Sequence, residues 1–240
     1  GGSAERRVGD ARRGGARGDG GRPEAVSFDL DGVLVDSEIW WDEARAAFAA
    51  THRRTWTAAD RVAVMGANGR QWSATMRERL GLDLPDHEIE AAIVEAVVER
   101  YRREGAPAIP GAAAAVRRLA VRYPLAVASS AHRDVIAAAL EATGLGPCFR
   151  VVVSSDEVPR GKPAPDVYLE TSRRLGVSPA GCLVVEDSLN GVLAARAAGM
   201  EVVLVPNASI PPAPGARQAA TIVLDRLDRL DPGRIPTAGT

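Results

Sequence analysis

The chain has 240 residues, 46% of them hydrophobic, which is enough apolar content for one large domain or for a core with a smaller second domain. Its 30 basic and 31 acidic residues nearly cancel, so neither nucleic acid nor an anionic membrane is expected as a partner. No stretch approaches the ~20 apolar residues that cross a bilayer, and no apolar leader opens the chain, so a cytoplasmic location is expected.

Residues 1–24 are rich in glycine, arginine and aspartate and have almost no apolar side chains. Such a segment cannot bury enough surface to offset the entropy lost on ordering, so we predict a disordered tail there. Cys148 and Cys182 are isolated from each other and from any histidine cluster. They are predicted to be buried thiols in a reducing compartment.

Five short apolar runs predict the strands of a buried sheet, at 25–28, 125–128, 151–153, 183–185 and 202–205. None alternates with polar residues, which is typical of parallel strands that are covered on both faces. Helical patterns at 111–121, 133–143, 165–175 and 190–198 separate or flank them, and glycine follows the last three. The sequence therefore predicts an α/β fold, a doubly wound, Rossmann-like parallel sheet, built from 25–36 and 105–240.

The interval 37–104 breaks this alternation because it holds helical patterns and no strand candidate. It is too long for a loop, so it is predicted to be an inserted α-helical cap domain. Its helical signals are the pattern over 39–53, a capping box at Thr57-x-x-Asp60, the repeat of Trp72, Met76 and Leu80, and the run from Asp86 to Tyr101. The tryptophans and Met76 are interpreted as the core of this bundle rather than as substrate contacts.

Two aspartates follow the first predicted strand. Asp29 and Asp31 are two residues apart, so both carboxyls can enter one pocket, and Gly32 permits a sharp turn beside a ligand. One carboxyl can attack phosphorus while the other protonates the leaving oxygen.

Further polar groups follow other predicted strands. Lys162 is the only lysine, and a compact ammonium suits a single buried oxygen better than a guanidinium does. Ser129, at a helix start, can hold phosphate oxygens, while Glu186 and Asp187 offer the carboxylate oxygens that Mg2+ prefers. The combination predicts a site for a phosphate and a divalent cation.

Four segments together resemble the motifs of the haloacid dehalogenase superfamily, in its phosphatase and β-phosphoglucomutase-like branch. They are Asp29-Leu30-Asp31-Gly32-Val33-Leu34-Val35-Asp36-Ser37-Glu38, Val127-Ala128-Ser129-Ser130, Gly161-Lys162-Pro163-Ala164-Pro165-Asp166 and Val185-Glu186-Asp187-Ser188-Leu189-Asn190-Gly191. The resemblance covers about residues 25–208. It implies a mobile cap over 37–104 that closes over the substrate and excludes water.

The same resemblance implies the residue roles. Asp29 would be the nucleophile that forms an aspartyl-phosphate, and Asp31 would be the general acid and then the base. Ser129 would bind phosphate, and Lys162 would stabilise it. The metal ligands for Mg2+ would be Asp29, the backbone carbonyl of Asp31 and Asp187, with Glu186 assisting. The candidate substrate-binding residues are Ser130, Arg70 in the cap loop 66–70, and His132, for which an exposed helix-start position is the alternative.

The leading hypothesis is a Mg2+-dependent phosphatase acting on a small phosphorylated metabolite. Asp31 favours phosphate over halide chemistry, because a dehalogenase needs no acid there. A β-phosphoglucomutase-like mutase is the alternative, disfavoured because Trp41 occupies the position of that enzyme's cap histidine. A receiver-type signalling domain would have the opposite order of Asp and Lys, and a non-catalytic phosphometabolite-binding protein would not need every chemical role filled. We expect a monomer or weak homodimer, and the sequence leaves the substrate open.

Overall fold

The computed structural model describes residues 22–235. Most of the predicted N-terminal tail, residues 1–21, therefore lies outside the described residues. Residues 22–24 are attached to the core: Pro23 is buried, and the Glu24 amide donates a hydrogen bond to the Gly181 carbonyl at 2.8 Å.

The core is a six-stranded parallel sheet with the strand order β3-β2-β1-β4-β5-β6. The strands are β1 Ala25–Phe28, β2 Leu125–Ser129, β3 Val151–Ser154, β4 Cys182–Glu186, β5 Glu201–Leu204 and β6 Ile222–Val223. The predicted doubly wound fold is confirmed. Strand β6 has no counterpart among the predicted runs, because two half-buried residues are too short to form a pattern.

The four central strands are buried on both faces, since every residue of β1, β2, β4 and β5 is buried. From β1 the chain adds β2 and β3 on one side and then β4, β5 and β6 on the other. The strand order therefore reverses at β1. A crevice opens at the carboxyl ends of the strands at such a reversal, and it is the usual ligand site of this architecture.

Four helices follow β1 within residues 37–104: α1 Glu38–Thr51, α2 Ala58–Val64, α3 Gly69–Leu80 and α4 Asp86–Glu104. Helix α2 begins with the predicted capping box of Thr57 and Asp60, and Asn68 and Gln71 form a second one on α3. These helices form the predicted helical insertion, which we call the cap. None of the helices in the part of the chain that the structure describes is both long and apolar enough to cross a membrane.

The cap has its own apolar core. The Trp40 and Tyr101 rings meet edge to face with centroids 5.0 Å apart, and the Trp41 and Trp72 rings do so at 6.1 Å. Met76 is fully buried. These contacts agree with the interpretation of the tryptophans as core residues, although Trp41 also reaches the site described below.

The remaining helices pack on the sheet: α5 Ala112–Ala120, α6 Arg133–Thr143, α7 Asp166–Leu175, α8 Leu189–Ala197 and α9 Ala216–Ala219. Cys182 is buried in β4, as predicted. The prediction is wrong for Cys148, which is partly exposed because it ends a short 3-10 turn, Gly146–Cys148, that links α6 to β3 at the margin of the fold.

Candidate active site

Asp29 directly follows β1, the central strand. Its amide donates a hydrogen bond to the Val185 carbonyl of β4 at 3.0 Å, which fixes the backbone as it leaves the sheet. The side chain is buried, and one carboxylate oxygen lies 3.2 Å from the Lys162 ammonium. Burial and the nearby charge of Glu186 raise the pKa of Asp29 well above its ordinary value, while Lys162 opposes that shift.

Lys162 joins the two acidic strand ends. Its Nζ donates to the Glu186 carboxylate at 2.7 Å and to the Ala128 carbonyl at 3.1 Å, in addition to the ion pair with Asp29. Burial by itself would lower the pKa of Lys162, but the charges of Asp29 and Glu186 outweigh it and raise that pKa. The ammonium therefore stays charged although it is only 6% exposed.

Glu186 is fully buried and is surrounded by hydrogen-bond donors. Lys162 and the Tyr168 hydroxyl, at 2.6 Å, share one carboxylate oxygen. The other oxygen accepts from the amide of Asp187 at 3.1 Å and from the hydroxyl of Ser188 at 3.2 Å. A side chain at Gly191 would collide with this carboxylate, so α8 approaches it at a glycine. With its lone pairs engaged, Glu186 is placed to orient Lys162.

Asp187 lies against the turn that follows Asp29. Gly32 has a φ of +83°, and a Cβ atom there would lie 1.9 Å from an Asp187 carboxylate oxygen. Only glycine leaves room for this approach. Burial, and then the charge of Asp29, raise the pKa of Asp187 well above its ordinary value.

Asp29, Glu186 and Asp187 form a cluster in which one carboxylate oxygen of each lies within 4.8 Å of the others. Asp29 and Asp187 fit a divalent cation as direct ligands, whereas Glu186 fits an assisting role, because its oxygens already accept from protein donors. The cluster holds three carboxyl groups beside one ammonium, that of Lys162, and burial, followed by the charge of neighbouring carboxylates, raises the pKa of Asp29 and of Asp187. Hard oxygen donors with excess negative charge are the environment that Mg2+ prefers.

Asp31 faces the same space from the start of the cap connection. The Ser37 hydroxyl donates a hydrogen bond to its carboxylate. Burial raises the pKa of Asp31, against the opposing effects of Ser37, Lys162 and Trp41. A raised pKa favours the protonated form of the carboxyl, which is the form that a general acid needs.

Ser129 and Ser130 complete the wall at the end of β2. The Ser129 hydroxyl oxygen accepts from the Ala131 amide at 3.0 Å, which leaves its own O–H group to donate to an anion. Ser154 fixes this loop by donating to the Ala131 carbonyl at 2.6 Å.

These groups surround one cavity of about 270 Å³ beneath the cap. Its walls include Asp29, Asp31, Glu38, Ser129, Ser130, Lys162 and Asp187, with apolar contributions from Met65, Leu189, Ile210, Pro211 and Pro212. The structure thus brings the predicted residues from four strand ends into one space.

Arg70 and His132 do not line this cavity, which contrasts with their assignment as substrate-binding residues. Arg70 donates to the Val158 carbonyl at 3.0 Å, and His132 caps α6, its ring accepting from the Asp134 amide at 3.2 Å. His132 also lies in a cluster with Glu90 of the cap and Asp156 of the core. Both residues therefore belong to the contact between cap and core and not to the cavity wall.

Three residues of the site were not singled out by the sequence. Tyr168 holds Glu186, and its ring centroid lies 5.0 Å from the Lys162 Nζ. Glu38 lies on the cavity wall with its pKa raised by burial to about 7, and Arg45 is buried nearby with its pKa lowered by burial to about 10. Glu38 is the last residue of the first motif, so the sequence did offer a reason to consider it. Tyr168 and Arg45 lie within ordinary helical patterns, and nothing in the sequence distinguishes them from other helix residues.

The chain is similar to known enzymes over most of its length. Residues 23–199 match the family described as haloacid dehalogenase-like hydrolase. The chain is 37% identical over 186 residues to hexitol phosphatase A of Escherichia coli, covering 77% of this chain and 83% of that protein. It is 32% identical over 189 residues to a bifunctional riboflavin kinase/FMN phosphatase of Arabidopsis thaliana, covering 76% of this chain but 48% of that longer protein.

A solved structure shows the same fold. CbbY from Rhodobacter sphaeroides, crystallised in complex with phosphate, superposes with a TM-score of 0.77 at 27% identity and covers 87% of this chain and 96% of that one. The sequence match extends over more than half of the chain and includes all four predicted motifs. This protein is therefore an enzyme of the haloacid dehalogenase-like hydrolase family, with phosphatases among its relatives.

Proposed function

We propose that the protein is a Mg2+-dependent phosphatase that hydrolyses a small phosphorylated metabolite through an aspartyl-phosphate at Asp29. The observation that carries the proposal is the position of Lys162, whose Nζ lies 3.2 Å from Asp29 and 2.7 Å from Glu186. A buried ammonium there neutralises charge at the carboxylate that attacks and at the oxygens of the group transferred to it.

In the first step the Asp29 carboxylate attacks phosphorus, and the bond from phosphorus to the leaving oxygen breaks. Asp31 donates its proton to that oxygen, so the alcohol leaves uncharged. In the second step Asp31, now a carboxylate, accepts a proton from water as that water attacks the aspartyl-phosphate. Inorganic phosphate leaves and Asp29 is regenerated.

The other residues hold the phosphoryl group in place. The Ser129 hydroxyl, whose oxygen already accepts from Ala131, donates to a phosphate oxygen, with Ser130 beside it. Asp29, the Asp31 backbone carbonyl and Asp187 would hold Mg2+. When bound, the cation offsets repulsion between carboxylates and phosphate. Glu186 acts by orienting Lys162, since all its oxygens are occupied by protein donors.

The test is phosphate release from a panel of phosphorylated metabolites by the intact protein, with Mg2+ or with EDTA, and by Asp29→Asn. We expect Mg2+-dependent release that falls by at least about three orders of magnitude in the variant. An acid quench during turnover of a 32P-labelled substrate that traps label on wild-type protein, but not on Asp29→Asn, would identify the intermediate.

Release that survives in Asp29→Asn would contradict the proposed nucleophile. If no compound releases phosphate, adding a sugar bisphosphate primer distinguishes the β-phosphoglucomutase-like alternative, because a mutase then interconverts sugar monophosphates. Binding without either reaction would favour a non-catalytic phosphometabolite-binding protein.

A further inference from the structure

Arg45 of α1 is a buried cation beside the reaction cavity. It is 8% exposed, and its guanidinium contacts two indoles, with Cζ 5.4 Å from the Trp41 ring centroid and 4.9 Å from that of Trp72. Its Nε has no hydrogen-bond partner anywhere in residues 22–235. An arginine presents five N–H donors in a planar fork, and stacking on aromatic rings satisfies none of them.

The guanidinium lies next to the catalytic space. Arg45 lines a hollow with Trp41, Asp31, Glu38 and Ser130, and the last three also line the main cavity. The two spaces are therefore neighbours across Asp31 and Glu38. A buried, unpartnered donor costs free energy, so the arrangement favours a ligand group that accepts these hydrogen bonds.

The surrounding charges indicate which kind of ligand group this is. Arg45 is influenced by Glu38, Asp42 and Asp31, all acidic. Asp42 is already paired with Arg61 at 3.1 Å and accepts from the Trp56 indole at 2.8 Å. Glu38 and Arg45 remain, one offering carboxyl oxygens and the other N–H donors. A second phosphate or a carboxylate would have to lie against the carboxyl groups of Asp31 and Glu38, whereas hydroxyl groups can pair with both Glu38 and Arg45, since they donate as well as accept.

We propose that Glu38 and Arg45 are specificity-determining residues that bind the hydroxyl groups of an uncharged, polyhydroxylated leaving group. The substrate class would be sugar or polyol monophosphates, and bisphosphates and phosphorylated carboxylic acids would be disfavoured. The apolar walls at Trp41, Met65 and Ile210 suit the C–H faces of such a chain. This inference rests on the proposed phosphatase function.

The experiment compares Arg45→Met and Glu38→Gln with the intact protein on four compounds: sorbitol 6-phosphate, phenyl phosphate, phosphoglycolate and fructose 1,6-bisphosphate. We expect Arg45→Met to lower kcat/KM for sorbitol 6-phosphate by about 10- to 100-fold. For phenyl phosphate, which has no hydroxyl groups, kcat/KM is expected to change by less than about 3-fold. Glu38→Gln should show the same selectivity with a smaller effect.

Arg100→Met is the matched control. Arg100 also stacks on a tryptophan, with Cζ 4.5 Å from the Trp40 ring centroid, but it pairs with Glu43 and Glu104 and lies outside both spaces. It should leave the substrate preference unchanged. Thermal melting of each variant identifies loss of folding, and if Arg45→Met is unfolded, Arg45→Lys and Glu38→Gln carry the same comparison.

A binding measurement separates this inference from the proposed function. In an Asp29→Asn background, Arg45→Met should raise the Kd for sorbitol 6-phosphate while leaving that for phenyl phosphate unchanged, even if turnover follows another route. Equal losses on all four compounds, or none, would overturn the inference. It would also be overturned if the intact protein prefers the bisphosphate or phosphoglycolate and Arg45→Met removes that preference, which would identify an anion site.

Discussion

Gly32 shows how one backbone position controls the candidate cation site. Its φ of +83° is unfavourable for any residue with a side chain, and Asp187 occupies the space where a Cβ atom would lie. Gly199, with a φ of +79°, has the same sign of φ but nothing within 4 Å of that position. Comparing substitutions at these two glycines therefore separates the effect of backbone strain from the effect of a clash with Asp187.

We expect Gly32→Ala and Gly199→Ala each to lower the free energy of unfolding by about 1–2 kcal/mol. Gly32→Ala alone should also displace Asp187 and raise the Mg2+ concentration needed for half-maximal activity by about 10-fold or more. Urea unfolding and Mg2+ titration of phosphate release measure the two effects. Equal Mg2+ requirements in the two variants would contradict the role of Gly32.

Tyr168 supports the site from behind Lys162. Its hydroxyl is one of the donors to the buried Glu186 carboxylate, at 2.6 Å. Tyr168→Phe should therefore cost about 1.5–3 kcal/mol of stability, the range for a hydrogen bond to a charged group. It should also lower kcat several-fold, because Glu186 then holds Lys162 less firmly.

The control is Tyr123→Phe, at a half-buried tyrosine with no side-chain hydrogen bond to any described residue. Urea midpoints of the two variants give the comparison. If both variants unfold at the same midpoint, the Tyr168 hydroxyl has no special role.

At the scale of elements, the cap helices depend on local signals that the sequence displays. The Thr57 side chain accepts from the Asp60 amide, and Asp60 in turn pairs with Arg79 of α3 at 2.6 Å. Thr57→Ala removes the cap of α2 and should lower stability by about 1 kcal/mol, or roughly 2–4 °C in Tm. The exposed Thr55 forms no side-chain hydrogen bond within residues 22–235, so Thr55→Ala should leave Tm unchanged. A Tm drop common to both would argue against the capping box.

At the scale of the whole molecule, the buried carboxylates control how stability depends on pH. Burial raises the pKa values of Asp29, Asp31 and Asp187 above 3.8, the ordinary value for aspartate. At pH values between 3.8 and the raised pKa values, the folded protein holds more protons than the unfolded chain. Stability therefore falls with rising pH in this window when no cation is present.

Mg2+ should reverse much of this loss, because it stabilises the ionised carboxylates of the folded state only. We expect the free energy of unfolding in EDTA to decrease between pH 5 and pH 8, and the decrease to be smaller with Mg2+. Urea unfolding at each pH measures it. Below pH 4.5, Glu170 would interfere with the measurement. Arg173 and Arg174 lower its pKa to about 2, so its contribution makes stability rise with pH rather than fall. The same slope with and without Mg2+ would contradict a cation site at these residues.

Local sequence patterns are enough to predict the features that depend on neighbouring residues. Full burial makes β1, β2, β4 and β5 continuous apolar runs, and parallel strands direct the polar residues after them to one edge of the sheet. The positions of Asp29, Ser129 and Asp187 around one cavity follow from that rule. The capping box of α2 is equally local, since its partners are three residues apart.

Other features depend on contacts between distant parts of the chain and are seen only in the folded protein. Arg70 contacts Val158, 88 residues away, and Tyr168 contacts Glu186, 18 residues away. No local pattern specifies such pairs, because helix packing and the path of the cap fix them. The same packing places Arg45 beside the cavity, although its spacing in α1 is that of any amphipathic helix. The reactive groups at the strand ends can thus be predicted from the sequence, whereas the groups of the cap that lie opposite them depend on how cap and core pack together.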